Sequence, residues 1–341
     1  MSGRTQLMPK ITWLILWCVA LRMICSWMAG DKWALFAQPE VSDYLIRDAQ
    51  PTTPVQNTVS PAEPIQEVMV VTEPPASVPE SMSMPNASGE PFHFQKSDVS
   101  HIEINYSANR TPDIESLLTQ PLDWDLTEDS PSVLIIHSHG TEAFVPGNGY
   151  TYTEDGGEYR TLDDRCNMVS LGEELARLLN EAGIQTVQDR SYYDYPDYLT
   201  SYDNARIGLQ EQLNRYPTIK LVIDLHRDSA QRPDGSQWAT EAIINGEKSA
   251  QVMLVMGTDS YYTHPGWEQN LSLALKLQTI MEKTHNGATR PLDLRKQRFN
   301  QDLSTGAMIA EIGAAGNTYR EAQNAVSVLA EAIILLAKGS T

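Results

Sequence analysis

The sequence predicts an α/β domain with a mostly parallel sheet flanked by helices, preceded by a transmembrane helix and a disordered linker. Three observations lead there. From residue 131 onward, short apolar runs alternate with stretches of helical length, the pattern of βαβ units. Those runs are apolar without polar alternation, as strands covered on both faces are. Ahead of residue 102 the text changes character twice, first to an apolar stretch and then to a Pro/Ser/Glu-rich one.

The elements follow in order. Residues 1–10 carry Arg4 and Lys10, and leading positive charge favours a cytoplasmic N-terminus. Residues 11–29, "ITWLILWCVALRMICSWMA", are broken only by Arg22 and are long enough to span a bilayer core. No small-residue cleavage signal ends the run cleanly, so an uncleaved anchor is expected, with the rest of the chain outside the membrane. Arg22 lies toward the outer end, where its stem can snorkel. Residues 30–101 are read as a linker, because their composition buries too little apolar surface to offset chain entropy. Residues 102–130 form a lead-in segment able to supply an edge strand and a short helix.

The domain proper is expected over residues 131–338. Strands are predicted at Val133–Ile136, Gln185–Gln188, Leu221–Leu225, Val252–Met256 and Met308–Ile312. Helices are predicted at Asn167–Ala182, Asp203–Tyr216, Glu268–Thr284 and Tyr319–Lys338. In the first helix Met168, Leu171, Leu175, Leu178 and Leu179 share one face, and Gly183 is a stop signal. The formal net charge of -19 over 341 residues argues against a nucleic-acid partner, which would need clustered Lys and Arg. Of three cysteines, only Cys166 lies outside the apolar N-terminal run. It is read as a packing residue, which leaves the body without a disulfide framework or a Cys-type zinc site.

Three of the runs end in chemistry. "VLIIHSHGTEAF" (133–144) drives a strand into His137, His139 and Glu142. "LVIDLHRD" (221–228) ends in His226, Arg227 and Asp228, and "AMIAEIGAAGNT" (307–318) carries Glu311. Ligands of open α/β sheets bind outside the carboxyl ends of strands. Two imidazoles and a carboxylate, with a fourth position left for water, make a catalytic zinc site. His139, Glu142 and His226 are therefore the expected metal ligands. Glu311, flanked by apolar residues, is the candidate to take a proton from water and pass it to the leaving nitrogen. His137 is expected to face away from His139, which lies beyond the strand and in register with Glu142. His93, His101, His264 and His285 are read as surface residues.

These blocks, with "INGEKSAQVMLVMG", "HPGWEQNLSLALKLQ" and "QRFNQDLSTGAMIAEIGAAGNTYREA", resemble the stage II sporulation protein P family from about Pro131 to Lys338. The resemblance implies an amidase/zinc-exopeptidase-like fold and a zinc-dependent N-acetylmuramoyl-L-alanine amidase. It also implies endopeptidase activity on cross-linked stem peptides. Peptidoglycan would be the substrate, in septal wall thinning and engulfment during sporulation. Stage II sporulation proteins D and M would be partners, and the protein would cross the cytoplasmic membrane once with its catalytic domain outside. His139, His226 and Glu311 match the family's motifs, and Glu142 stands in its acidic position. Asp163 and Asp164 in "TLDDRCN" are alternatives to Glu142 as the middle ligand. Arg227 would help stabilise an oxyanion or be the buried partner of Asp228 or Asp224. Arg298 and Asn300 would bind a stem-peptide carboxylate or stabilise their loop. Two rival functions are a zinc carboxypeptidase acting on soluble peptides and a catalytically silent anchored scaffold.

Overall fold

The computed structural model describes residues 92–122, 126, 130–146, 151–232 and 234–339. The expected membrane helix of residues 11–29 and the linker up to residue 91 lie outside the described residues. Among the described residues, no helix is long and apolar enough to cross a membrane.

The described strands are β1 (Ile104–Tyr106), β2 (Val133–Ile136), β3 (Thr186–Gln188), β4 (Leu221–Asp228), β5 (Ala242–Ile244), β6 (Glu247–Ser249), β7 (Val252–Gly257), β8 (Leu292–Arg295) and β9 (Ala307–Ala314). The α-helices are α1 (Ile114–Thr119), α2 (Met168–Glu181), α3 (Ser201–Arg215), α4 (Trp267–Thr284) and α5 (Tyr319–Lys338). One sheet runs β1-β8-β7-β9-β4-β2-β3, and β5 with β6 makes a separate hairpin. β3, β2, β4 and β9 are mutually parallel, as are β1, β8 and β7. The two groups meet in one antiparallel pairing, β7 on β9. The sheet is thus mostly parallel, as the sequence predicts.

Alternation along each strand sorts the apolar side chains into two cores. Leu221, Ile223, Leu225, Met308, Ala310 and Ile312 join α2, α4 and α5 in the larger one. Leu134, Ile136, Val222 and Ala307 meet Ala205 and Leu209 of α3 in the smaller one on the other face. Burying an aliphatic side chain contributes about 1.5–3 kcal/mol, so both faces hold the strands in register. Helix ends follow local chemistry. Asn167 accepts from the Ser170 N–H at the start of α2, and Thr318 forms a capping box with Glu321 at the start of α5. Gly183, at φ +88°, ends the chain's run through α2, a conformation that favours glycine.

Several boundaries and elements differ from the sequence reading. β4 continues to Asp228, so His226, Arg227 and Asp228 lie inside the strand rather than beyond it. β8 and the β5–β6 hairpin were missing from the prediction. The expected linker does not reach residue 101: Lys96–His101 is a 3₁₀-helix with Asp98 buried 2.7 Å from Lys283 Nζ. The lead-in segment supplies β1 at the sheet edge and α1, whose Leu117 and Leu118 carbonyls accept from the buried Lys276 Nζ at 3.1 and 2.5 Å. At the far end of α5, Gly339 packs on this entry: a Cβ there would lie 3.0 Å from the Phe92 carbonyl oxygen.

Candidate active site

In-register neighbours of a sheet point to the same face. His226 pairs with Glu311, so the imidazole of β4 and the carboxylate of β9 stand side by side on the α3 face. Asp224 shares that face two residues earlier. A bulge follows, since His226 pairs with Glu311 but Asp228 with Ala314. Gly313, at φ +62°, supplies the conformation this kink needs.

The loop after β2 brings the other half of the cluster. His139, Glu142 and His226 are all buried, at 6 %, 5 % and 3 % exposure. The His139 and His226 rings meet edge to face with centroids 5.2 Å apart. Glu142 Oε2 is 3.7 Å from His226 Nδ1 and accepts the Arg227 N–H at 3.2 Å. Asp163 instead pairs with Arg165 at 2.7 Å, and Asp164 with Arg190 at 3.5 Å, both at the surface. Of the three carboxylates weighed for the middle position, the one brought to the imidazoles is Glu142.

Two aspartates support the imidazoles from behind. Asp224 accepts from Ser138 N and Oγ at 2.8 and 2.6 Å and lies 2.9 Å from His226 Nε2. Asp194 accepts from Thr141 Oγ1 at 2.5 Å and lies 4.0 Å from His139 Nδ1. Aromatic rings close the front. Tyr198 stacks on His139 at 4.3 Å and carries Arg160 at 3.7 Å from its ring centre. Tyr202 stands edge-on to His139 at 5.4 Å and parallel to His226 at 6.2 Å.

These contacts set the charges. Burial opposes a proton on His226, but Asp224, Glu142 and Glu311 outweigh it and push its pKa to about 10. Burial and the neighbouring His226 hold His139 well below the ordinary imidazole value. Burial lifts Glu311 to about 8; His226 and Arg290 oppose this, while Asp228 and Glu142 add to it. The site thus pairs an imidazole that favours its proton with a carboxylic acid that also favours one.

Among the described residues, no three His, Cys, Asp or Glu side chains stand close enough to grip one cation as arranged. The donor set nevertheless suits zinc. His139 Nδ1 and Glu311 Oε2 are buried without a hydrogen-bond partner, a cost that a cation and its solvent would remove, while His226 Nε2 meets Asp224 at 2.9 Å. Two imidazoles on one tetrahedral zinc have ring centres about 5 Å apart, close to the 5.2 Å between His139 and His226.

Other predicted residues fall elsewhere. Arg227 is buried, and its guanidinium donates to three carbonyls, Ala143 at 2.9 Å, Tyr159 at 2.8 Å and Asp228 at 3.3 Å. It clamps the Glu142 loop onto β4 rather than presenting those donors to an oxyanion. Arg298 pairs with Asp302 at 3.4 Å and lies over the Tyr262 ring. Asn300 donates to the Tyr202 carbonyl at 2.8 Å and accepts from Arg206 at 3.3 Å. Both contact sets fasten the loop, the second of the two roles weighed for this pair. His137 does turn to the opposite face, against Gly172 and Gln188. His264 is buried beside Asn270, not at the surface, and His285 pairs with Glu331 at 2.9 Å. Cys166 is buried, its thiol pushed up to about 12 by burial and by Asp163.

A seven-stranded α/β sheet with two imidazoles and two acids gathered at its strand ends has the groups of a hydrolytic centre. The match to known sequences then places it. The family model for stage II sporulation protein P matches residues 52–334, most of the chain, and the protein belongs to that family. Stage II sporulation protein P of Bacillus subtilis (strain 168) is 27 % identical over 217 residues, covering 60 % of this chain and 51 % of its own. The chain thus spans about half the length of that curated relative. Among solved structures, amidase Ami1 of Mycobacterium smegmatis is similar at TM-score 0.37 and 10 % identity, over 60 % of this chain and 97 % of that one. N-acetylmuramoyl-L-alanine amidase AmiC2 of Nostoc punctiforme follows at 0.33 and 14 %, over 61 % and 94 %. The CwlD amidase of Clostridioides difficile, solved with the GerS lipoprotein, stands at 0.33 and 12 %, over 61 % and 95 %.

Proposed function

We propose that this chain is a zinc-dependent peptidoglycan hydrolase of the N-acetylmuramoyl-L-alanine amidase type, anchored in the cytoplasmic membrane with its catalytic domain outside. Its place would be septal wall degradation during sporulation, alongside stage II sporulation proteins D and M. The observation that carries the reading is the meeting of two buried, unpartnered polar atoms, His139 Nδ1 and Glu311 Oε2, around the His226 ring.

His139, Glu142 and His226 would hold the zinc. When bound, zinc supplies Lewis acidity toward the amide carbonyl and makes hydroxide available near neutral pH. Glu311 then moves the proton: its carboxylate takes one from the attacking water at Oε2 and delivers it to the departing amide nitrogen. Its neighbours Asp228 and Glu142, like burial itself, favour the protonated form that the second step needs. Tyr202 offers a phenol with no hydrogen bond to the described residues, next to His226, and is placed to donate to the developing oxyanion now that three of the Arg227 donors are committed elsewhere. Tyr198 and Asp194 fix the His139 ring by stacking and charge.

The test is Glu311→Gln in full-length protein, read by zinc content and by release of stem peptide from purified sacculi. Zinc is expected to stay and turnover to be lost. Retained turnover removes Glu311 from this role, and wild-type protein that binds no zinc overturns the reading.

A further inference from the structure

Two arginines within electrostatic reach of Glu311 have no task in the mechanism above, Arg290 and Arg295. Arg290 lies between α4 and β8, and its backbone is fixed on both sides. Its N–H donates to the Val252 carbonyl at 2.9 Å, and its carbonyl accepts from Gln278 Nε2 at 3.2 Å. One corner of its guanidinium is anchored, since Nη1 donates to Asp228 Oδ2 at 2.8 Å. The opposite edge is not: Nε and Nη2 are buried and have no partner.

That edge is the one that grips a carboxylate with two parallel hydrogen bonds. The chain uses the same pair of atoms elsewhere, on Asp163 through Arg165 and on Glu174 through Arg177. Leaving both N–H groups buried and unpaired is costly, so the edge is suited to a ligand. Asp228, which aims it, sits two residues beyond His226 on the same face of β4, about 6.6 Å further along the strand. The surroundings open to solvent, with the Asp228 side chain 26 % exposed and that of Arg295 42 %.

We propose that Arg290 is a carboxylate-binding subsite of the active site. Nε and Nη2 take a free carboxylate carried by the second residue on the amine side of the scissile amide of a peptide substrate. The step of about 6.6 Å from His226 to Asp228 along β4 matches about two residue lengths of extended chain. Arg295 lines the outer rim. The proposal rests on the hydrolase reading above and deepens it by naming an anionic peptide as the preferred substrate.

The test gives full-length, zinc-loaded protein two soluble probes. Both are N-acetylmuramoyl-L-alanyl-γ-D-glutamyl-L-lysine, one with the glutamyl α-carboxyl free and one with it amidated. The wild type is expected to prefer the free acid by about 10- to 100-fold in kcat/KM, mostly through KM, the value of a charge-assisted bidentate contact. Arg290→Gln is expected to bring that ratio to within about threefold, and Arg290→Lys, which keeps charge without the fork, to retain only part of it. A wild type without preference overturns the proposal. So does Arg290→Gln with the ratio unchanged, because a brace for Asp228 slows both probes alike. If the wild type cleaves neither probe, the hydrolase reading fails on its own, and calorimetric binding of the same pair decides the subsite. Preference for the free acid that Arg290→Gln abolishes sustains it, and equal or absent binding sinks it.

Discussion

Gly172 in α2 is where packing beneath the site can be tested most directly. A Cβ added there would lie 2.5 Å from both Cε1 and Nε2 of His137 and 2.6 Å from Gln188 Nε2. Ordinary contact begins near 3.4 Å, so Gly172→Ala asks for a displacement of about 0.9 Å. The imidazole cannot supply it cheaply, because Nδ1 is held 3.2 Å from the Leu225 carbonyl and Nε2 2.9 Å from Gln188. α2 must therefore back away from β2, or the end of β2 must shift. Overpacking of this kind costs about 1–3 kcal/mol, and the better helix propensity of Ala returns about 1 kcal/mol. A net loss of up to about 2 kcal/mol lowers Tm by up to about 8 °C for a domain of this size. Two residues beyond His137 stands His139, so kcat on sacculi is expected to fall as well, by as much as about 100-fold for a misplacement near 1 Å. Scanning calorimetry and turnover at matched zinc content read the two effects. Combining the change with His137→Ala should remove most of the added cost, giving a coupling energy of similar size and opposite sign. A Gly172→Ala variant with raised Tm and unchanged kcat would refute the reasoning.

Three more outcomes are expected. Tyr202→Phe keeps the ring beside His226 and loses only the phenol, so kcat should drop about 100-fold with KM and zinc content little changed; an unchanged kcat removes the phenol from the reaction. Glu142→Ala should lose zinc, measured by mass spectrometry, while Asp163→Ala keeps it, and the reverse pattern reassigns the third ligand. Burial holds Lys276 down at about 8, against about 10.4 in an unfolded chain. Between those values the unfolded chain binds more protons, so the wild type should gain stability relative to Lys276→Met as pH rises from about 8 to about 10.4. Denaturant midpoints of both proteins would show this, and a wild type that loses stability relative to the variant over that range contradicts the sign.

The strands that carry the cluster were legible because burial on both faces leaves nothing but apolar residues before the functional ones, as in "VLIIHSHGTE". His137 and His139 face opposite ways not through alternation, which keeps residues two apart on one face, but because β2 ends at Ile136 and His139 lies in the turn that follows. Alternation does place Asp224, two residues before His226 in "IDLH", on the same face as His226. Asn245-Gly246 with both φ values positive makes the tight turn of the β5–β6 hairpin, and "NG" is the strongest short-range sign of one. What could not be read is what tertiary contact decides. Asp194 reaches His139 from a loop more than fifty residues away, and Tyr198 and Tyr202 arrive with it. Arg227 follows His226 in the text, yet alternation turns it away to three carbonyls. His264 looks like a loop residue among "YYTHPGW" and is buried because the 297–306 loop folds over it, with Asn270 Nδ2 donating to the Gln301 carbonyl at 3.0 Å.

α5 starts beside the cluster and runs about 30 Å before Gly339 comes to rest on Phe92. That contact belongs to the helical layer, on the side of the sheet turned away from Glu311 and His226. A pull applied at Phe92 would therefore reach the rear of the molecule, where Asp98 is fastened to Lys283 at 2.7 Å.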